Sequence, residues 1–346
     1  MTSLTELGGW PALLTELLER RDLPASSARA AMSSILAGES TPSQLVAFIV
    51  ALRAKGETAE EISGLLDAVF TAATLVPLSE ELRARAVDIV GTGGDRSHSI
   101  NVSTISALVV AGAGVPVCKH GSRAASSKCG AADLLEALGV KIELDPEGVA
   151  RSIEHAGIGF CFAQAYHPAF RFAGSSRREI GIPTVFNLLG PMANPGRVRR
   201  QLIGVANPAV AERMVTTLRA HGSIRSWVVN GGGLDELTTV GESTVLELVD
   251  GGVRTFVVDP TELGFARALP EELEGGEPNE NAAAAHRVLA GDHGPHRDIV
   301  LLNAGAALVV ADVAPDLPSG IAAAAASIDS GRAAAALDAL VEASNA

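Results

Sequence analysis

Residues 86–120, AVDIVGTGGDRSHSINVSTISALVVAGAGVPVCKH, indicate the fold class of the chain most clearly. The short apolar start of this stretch, Ala86–Val90, ends at Gly91 and predicts a buried strand. A helical pattern follows over Val102–Ala111, and Val115–Cys118 is a second short apolar run. Strand, loop, helix and strand in this order are typical of a parallel sheet with crossover helices.

On the N-terminal side of this stretch, apolar residues repeat at helical spacing and no β-branched run interrupts them. The residues with this spacing are Leu13, Leu14, Leu17 and Leu18 and the segments Gln44–Ala54 and Ala59–Ala73. We therefore predict an α/β protein with a small all-helical domain at residues 1–78. A larger α/β domain at 79–346 is expected to have a mostly parallel central sheet, and part of 158–195 to pack on the helical domain.

Further apolar runs on the C-terminal side predict strands or strand–helix junctions. They are Ser226–Val229, Thr244–Leu248, Thr255–Val258 and Ile299–Leu302. The Ala-rich tail from Ile321 to Ala346 predicts one or two terminal helices.

Composition excludes several classes of protein. The 346 residues include 27 Lys and Arg against 40 Asp and Glu, a net charge of −13, which argues against a nucleic-acid binder. The longest apolar stretches are too short to span a membrane, and the first residues lack the pattern of a secretory signal. Three cysteines without a CxxC pair predict neither a zinc site nor a disulfide framework. We expect a cytoplasmic protein without a membrane partner.

A glycine-rich loop, Asp88–Asp95, follows the first predicted strand and precedes a helix that starts near Asn101. Unpaired N–H groups at such a helix start attract phosphate. The loop is neither a Rossmann fingerprint nor a Walker loop, because Arg96 stands at the last glycine position and no Gly-Lys-Ser/Thr follows. A plain tight turn is the alternative interpretation, although Asp95 favours a sugar hydroxyl or a metal as neighbour.

A second loop, Cys118–Ser127, also lies between a predicted strand and a helix, and it contains Lys119 and Arg123. Two such loops in consecutive units favour a ligand with two separated phosphate groups. The alternative is a solvated basic loop. In a chain this acidic, a local concentration of basic residues is less expected by chance.

A third loop, Asn230–Glu236, has three glycines followed by Leu234, Asp235 and Glu236. Adjacent carboxylates suit Mg²⁺, a hard cation that prefers oxygen ligands. An exposed acidic turn at a helix start is an equally good interpretation of these residues alone.

The segment Ile158–Pro195 concentrates aromatic residues in a chain that has few of them, and arginines are interleaved. Arg177 and its aromatic surroundings suit a planar ligand with a carboxylate, which guanidinium engages with two hydrogen bonds. His167 alone is better interpreted as a capping or core histidine.

These motifs occur together in one known family. DIVGTGGD, NVST, KHGSRAASS, the segment from FAQAYHP to RREIGIPTVFNLLGP, and GGGLDE resemble anthranilate phosphoribosyltransferase, in the order of that family. The resemblance runs from the helical N-terminus to LNAGAAL at 302–308 and so covers nearly the whole chain.

The resemblance implies a helical domain hinged to the α/β domain, a homodimer, and Mg²⁺ as cofactor. The implied substrates are 5-phosphoribosyl 1-diphosphate (PRPP) and anthranilate, whose amine receives the phosphoribosyl group as pyrophosphate leaves. The implied PRPP-binding residues are Gly91, Gly94, Asp95, Ser99, Asn101, Val102, Ser103, Thr104, Lys119, His120, Gly121, Ser122, Arg123, Ala124, Ala125, Ser126 and Ser127. The implied acceptor-binding residues are Gly91, Ser122, Tyr166, His167, Phe170 and Arg177, and the metal ligands are Ser103, Asp235 and Glu236.

Two departures from the family concern the acceptor. Ser122 stands where the family usually has Asn, and Phe172 where His is common. They leave open transfer to a different aromatic acid or amine. A pyrimidine nucleoside phosphorylase shares the architecture, but KHGSR and the double acid of GLDE argue against it. A catalytically silent nucleic-acid-binding relative conflicts with the acidic charge.

Overall fold

A computed structural model describes residues 3–95, 97–124 and 127–346 of the chain. Its first four helices are α1 (Gly9–Leu18), α2 (Ala25–Leu36), α3 (Pro42–Lys55) and α4 (Ala59–Ala72). Helices α3 and α4 begin with capping boxes, in which Thr41 accepts from the N–H of Gln44 and Thr58 from that of Glu61. The all-helical start predicted from residue spacing is confirmed.

The α/β part contains a seven-stranded sheet in the described residues. Its strands are β1 (Val87–Gly91), β2 (Val117–Gly121), β3 (Ile158–Phe162), β4 (Arg200–Gly204), β5 (Arg225–Asn230), β6 (Ser243–Val249) and β7 (Gly252–Val258). The order is β3-β2-β1-β4-β5-β6-β7. Strands β1 to β5 are parallel to one another, β6 is antiparallel to β5, and β7 is antiparallel to β6. The predicted mostly parallel sheet is confirmed.

The direction of the strand connections reverses between β1 and β4. Strand β1 is followed by β2 and β3 on one side of the sheet, whereas β4 and β5 extend it on the other. Gly91 and Gly204 are paired at the carboxyl ends of these two central strands. Ligands of open α/β sheets bind in the crevice at such a reversal, so this edge is where a site is expected.

The other α-helices belong to the rest of the described chain. They are α5 (Glu80–Arg85), α6 (Val102–Gly112), α7 (Ala131–Ala137), α8 (Pro146–Ala156), α9 (Ala163–Tyr166), α10 (Arg171–Ile180), α11 (Val185–Met192), α12 (Ala211–Ala220), α13 (Pro278–Leu289), α14 (Pro295–Val310), α15 (Leu317–Asp329) and α16 (Arg332–Asn345). In the described part of the chain, none of the helices has the length and apolarity that crossing a bilayer requires.

The prediction for Ile299–Leu302 is wrong, because this run lies inside α14. That helix is buried on nearly all sides, and a helix buried all round shows an apolar run like that of a buried strand. Strands β3 and β4 were not predicted. The tail forms α15 and α16, as its alanines indicate.

Two large hydrophobic cores stabilise the molecule. One lies around α6, α14 and one side of the sheet. The other joins the N-terminal helices to residues much later in the chain, among them Ala173, Val185, Phe186 and Met214. Part of 158–195 thus packs with the helical unit. The domain boundary at 78/79 stays a prediction.

Candidate active site

The start of α6 lies beside the end of β1. Gly93 and Gly94 have left-handed backbones, with φ of 68° and 80°, which a residue with a Cβ rarely adopts. Their turn lets the Gly93 N–H donate to Asp235 Oδ2 at 2.6 Å. At the helix start, the Ser103 backbone lies close enough to the Glu236 carboxylate to favour its charged form. The glycine loop and the acidic loop, separate in sequence, therefore meet at one point.

Lys119 is a buried cation beneath this point. Its Nζ donates to the Ile89 carbonyl at 2.7 Å and lies 3.5 Å from Ser103 Oγ. Burial lowers the pKa of Lys119, and the charges of Asp88 and Glu236 counteract that effect. A cation is thus held ready at the start of α6, where the helix dipole already favours anions.

The carboxylates of Asp95, Asp235 and Glu236 are close enough to repel one another. Burial, followed by the charge of Asp95, raises the pKa of Asp235 to about 7. Burial and then the charge of Asp235 raise the pKa of Glu236 well above its ordinary value. Such pKa shifts mark a site whose negative charge is only partly compensated within the chain.

These carboxylates and the Ser103 hydroxyl fit a divalent cation. All are oxygen donors, as Mg²⁺ prefers, and a cation would relieve their repulsion. In residues 3–95, 97–124 and 127–346, no three His, Cys, Asp or Glu side chains converge as a preformed metal site. A site completed by water and substrate oxygens is typical of Mg²⁺ rather than of a metal caged by protein.

Two glycines make room for the acidic loop, and sequence reasoning missed Gly204. A Cβ on Gly91 would overlap the Asp235 carboxylate, and one on Gly204 would overlap the Asp235 carbonyl. The paired strand ends therefore have to lack side chains. A glycine that ends an unpredicted strand gave no sequence signal of its own.

We expect Gly204→Ala to lower turnover at least about tenfold and to raise the Mg²⁺ concentration needed for half-maximal rate. The added methyl group displaces the backbone of the acidic loop, and displaced ligands bind and position poorly. A Mg²⁺ titration of the rate measures this, with Gly241→Ala as the control because its Cβ would meet nothing within 4 Å. Parental Mg²⁺ dependence in Gly204→Ala would contradict the close packing.

An aromatic cluster lies on the side of the helical unit. The Arg177 guanidinium carbon is 4.9 Å from the centre of the Phe186 ring, which packs edge-on against Phe170. Phe170 stacks on His167, whose Nε2 lies 2.9 Å from the Ala193 carbonyl. Burial lowers the pKa of Arg177, and in the described residues this guanidinium forms no ion pair.

Two of the predicted acceptor-binding residues, Tyr166 and His167, are buried in this structure. Tyr166 is only 1 % exposed, and its hydroxyl donates to the Leu144 carbonyl, so it has no surface to offer to an acceptor. His167 is buried as well, which agrees with its interpretation as a core histidine. Phe172 contacts Arg171 and lies over Gly38, on the surface of the helical unit.

The remaining predicted residues lie on or beside the two loops. Arg123 forms ion pairs with Asp133 and Glu136, so in this conformation it is engaged within its own chain. Thr104 is buried and its hydroxyl has no hydrogen-bond partner in the described residues. The others at the loop ends are Ser99, Asn101, Val102, His120, Gly121, Ser122, Ala124 and Ser127. Ala125 and Ser126 lie outside the described residues.

Sequence comparison agrees with this architecture. Residues 83–334 match the glycosyl transferase family, a/b domain, and residues 11–73 match the helical bundle domain of the same family. A protein of Rhodococcus opacus named anthranilate phosphoribosyltransferase is 51% identical over 334 residues, covering 95% of this chain and 91% of the relative. The chain belongs to the anthranilate phosphoribosyltransferase family.

Other members confirm the match over the full fold. The anthranilate phosphoribosyltransferase of Mesorhizobium japonicum is 52% identical, with 92% of this chain and 94% of the relative covered. The solved anthranilate phosphoribosyltransferase of Thermus thermophilus has a TM-score of 0.91 at 41% identity, covering 96% of this chain and 99% of that one. The Saccharomyces cerevisiae enzyme, solved with PRPP and Mg, has a TM-score of 0.88 at 28% identity, covering 97% and 98%.

Proposed function

We propose that the chain transfers the 5-phosphoribosyl group of PRPP to the amine of anthranilate, with release of pyrophosphate, as a step of tryptophan biosynthesis. The observation that carries this proposal is the meeting of Ser103, Lys119, Asp235 and Glu236 at the start of α6. One place thereby offers a helix start and a buried cation for phosphates beside carboxylates for a divalent cation.

The donor half of the site, which would bind PRPP, would consist of the glycine loop, the start of α6 and the loop after β2. Asp235, Glu236 and Ser103 would hold Mg²⁺, which when bound neutralises charge on the departing pyrophosphate. Lys119 adds a fixed positive charge in a buried environment, where it stabilises developing negative charge more strongly than in water. Ser99, Asn101 and Thr104 surround the same helix start.

The acceptor half of the site, which would bind anthranilate, would consist of Arg177 and the rings of Phe186 and Phe170. The guanidinium is positioned by its ring contact, and a carboxylate would give it the partner that the described residues do not supply. An arylamine is neutral at pH 7, so no strong general base is required. Burial lowers the pKa values of His120 and His167, which keeps both imidazoles neutral and unable to act as acids. Positioning is therefore the larger contribution of this half.

The test is the loss of anthranilate fluorescence when the purified protein is incubated with PRPP and Mg²⁺. We expect turnover that requires all three components. If turnover is absent but calorimetry still detects PRPP binding, the proposed PRPP site stands and anthranilate is not the acceptor. A screen of other aromatic acids and amines would then test the alternative that Ser122 leaves open.

We further propose a cytoplasmic homodimer joined through the helical units. Leu18 on α1, Val50 on α3 and Phe172 on α10 expose 76%, 38% and 42% of their surface. Large apolar side chains exposed on neighbouring helices support an interface between copies of the chain.

A further inference from the structure

A buried hydrogen-bond network joins β1 and β2 to the segment that follows α11. Asp88 is fully buried in the middle of β1. One of its carboxylate oxygens accepts from the His120 N–H at 3.0 Å, and the other accepts from Asn194 Nδ2 at 2.8 Å. Neither Asp88 nor Asn194 is among the predicted ligand-binding residues, so the mechanism above does not use them.

Asn194 is fixed from several sides. Its Nδ2 also donates to the Cys118 carbonyl at 2.7 Å, and its Oδ1 accepts from the Gly196 N–H at 2.8 Å. The His120 ring adds a further contact, because it packs edge-on against His167 with 5.1 Å between ring centres, and His167 Nε2 lies 2.9 Å from the Ala193 carbonyl. The end of β2 is thus bound to the α11 segment by main-chain and side-chain contacts.

The chemistry of this network requires an acid at position 88. Both partners of its carboxylate, the His120 N–H and the Asn194 amide, are donors. An ionised carboxylate only accepts, whereas an amide of the same size presents one acceptor and one donor. In Asp88→Asn, the new amide NH2 group would therefore face either the His120 N–H or the Asn194 amide. Two buried donors facing each other lower the stability of the folded state.

The two ends of the network reach the two halves of the proposed site. Lys119 lies between Cys118 and His120, whose backbone groups Asn194 and Asp88 hold. At the other end, α11 contains Phe186, the ring against which Arg177 lies. The buried hydrogen bonds of Asp88 and Asn194 therefore lie between the two halves of the proposed site.

We propose that Asp88 and Asn194 are positioning residues that hold the end of β2 against the α11 segment, and so couple PRPP binding to acceptor binding. This inference rests on the proposed function. It assigns these two side chains no contact with substrate.

Reciprocal substitution tests the hydrogen bond itself. Asp88→Asn and Asn194→Asp are each expected to lower kcat/KM for PRPP at least about tenfold. The double variant should have a kcat/KM several-fold higher than the value expected from multiplying the two single effects. The reason is that the amide at position 88 can then donate to the carboxylate at position 194. Recovery is expected to be partial, since the Cys118 carbonyl loses its donor. Losses that simply multiply in the double variant would overturn the proposal.

Glu247→Gln is the matched control for a purely structural effect. Glu247 is also a fully buried carboxylate in the sheet, and it accepts from Trp227 and Arg225 at the far side of β5. We expect this variant to unfold at a lower temperature but to keep the parental KM for PRPP. If it loses kcat/KM as Asp88→Asn does, the role of Asp88 is only structural. If Asp88→Asn does not fold, Asn194→Ala provides the same comparison.

The coupling is measured by calorimetry of PRPP binding in Mg²⁺, with and without benzoate. Benzoate keeps the ring and carboxylate of the acceptor but lacks the amine, so no transfer occurs. We expect benzoate to tighten PRPP binding several-fold in the parent and hardly at all in Asn194→Ala. An equal effect in both proteins, or none in the parent, would overturn the coupling. Parental turnover with anthranilate, run alongside, separates this failure from failure of the proposed function.

Discussion

Replacing Asp235 and Glu236 by their amides is expected to lower Mg²⁺-dependent transfer by about 10³-fold or more while leaving the unliganded protein at least as stable as the parent. Amides keep the size and the oxygen atoms but not the negative charge that a divalent cation requires. Turnover over a Mg²⁺ titration measures the first effect, and the thermal midpoint without Mg²⁺ at pH 8 measures the second.

The stability result follows from the direction of the pKa shifts. Asp235 and Glu236 both have pKa values raised in the folded protein. A carboxyl group shifted in this direction disfavours the folded state increasingly as the pH rises above its unfolded pKa. Removing the charge therefore stabilises the folded protein at pH 8, whereas loss of an ordinary structural acid would destabilise it.

The control for this pair is Glu80→Gln with Glu81→Gln. These adjacent acids lie in the first turn of α5, with side chains 77% and 81% exposed. Their replacement should leave both turnover and Mg²⁺ dependence unchanged. An unaffected rate in the Asp235 and Glu236 double variant would place the metal elsewhere.

Arg177→Ala is expected to raise KM for anthranilate by roughly 10- to 100-fold and to leave PRPP affinity within about twofold of the parent. A charge-assisted hydrogen bond contributes about 1.5–3 kcal/mol, which corresponds to this range. Burial already lowers the pKa of Arg177, so its charge is desolvated before an acceptor arrives. Steady-state kinetics and PRPP calorimetry separate the two affinities.

The neighbouring Arg178 provides a matched control, because it has the same charge and is exposed on the same helix. Arg178→Ala should retain the parental KM for anthranilate. Equal weakening of anthranilate and PRPP binding in Arg177→Ala would remove Arg177 from the acceptor half. Loss of the buried charge is not expected to lower the thermal midpoint.

Sequence patterns were sufficient to predict those parts of the site that lie within a single strand–loop–helix unit. The glycine loop after β1 and the basic loop after β2 each lie within one strand–loop–helix unit, so their place at the sheet edge followed from neighbouring residues. The meeting of Gly93 with Asp235 did not, because 142 residues separate them. The pairings of β1 with β4 and of β4 with β5 bring these loops together.

Sequence patterns do not show where neighbouring residues of one segment face different ways. Tyr166 and Phe170 belong to one aromatic segment, yet the Tyr166 ring enters a small core beside Cys118 and Cys161, whereas Phe170 turns towards Phe186. Composition cannot distinguish these directions, because Tyr166 ends α9 whereas Phe170 lies in a separate 3-10 turn, Pro168–Phe170, before α10. The hydrogen bond between Asp88 and Asn194, which are 106 positions apart, could not be predicted from sequence patterns either.

The mixed origin of the second core has a consequence for synthesis on the ribosome. Leu65 and Phe48 from the N-terminal helices pack in the same core as Val185 and Met214. When the first helices emerge, the residues that complete their core have not yet been translated. The N-terminal segment must therefore expose apolar surface while more than a hundred further residues are added, and such transient exposure makes a nascent chain prone to aggregate.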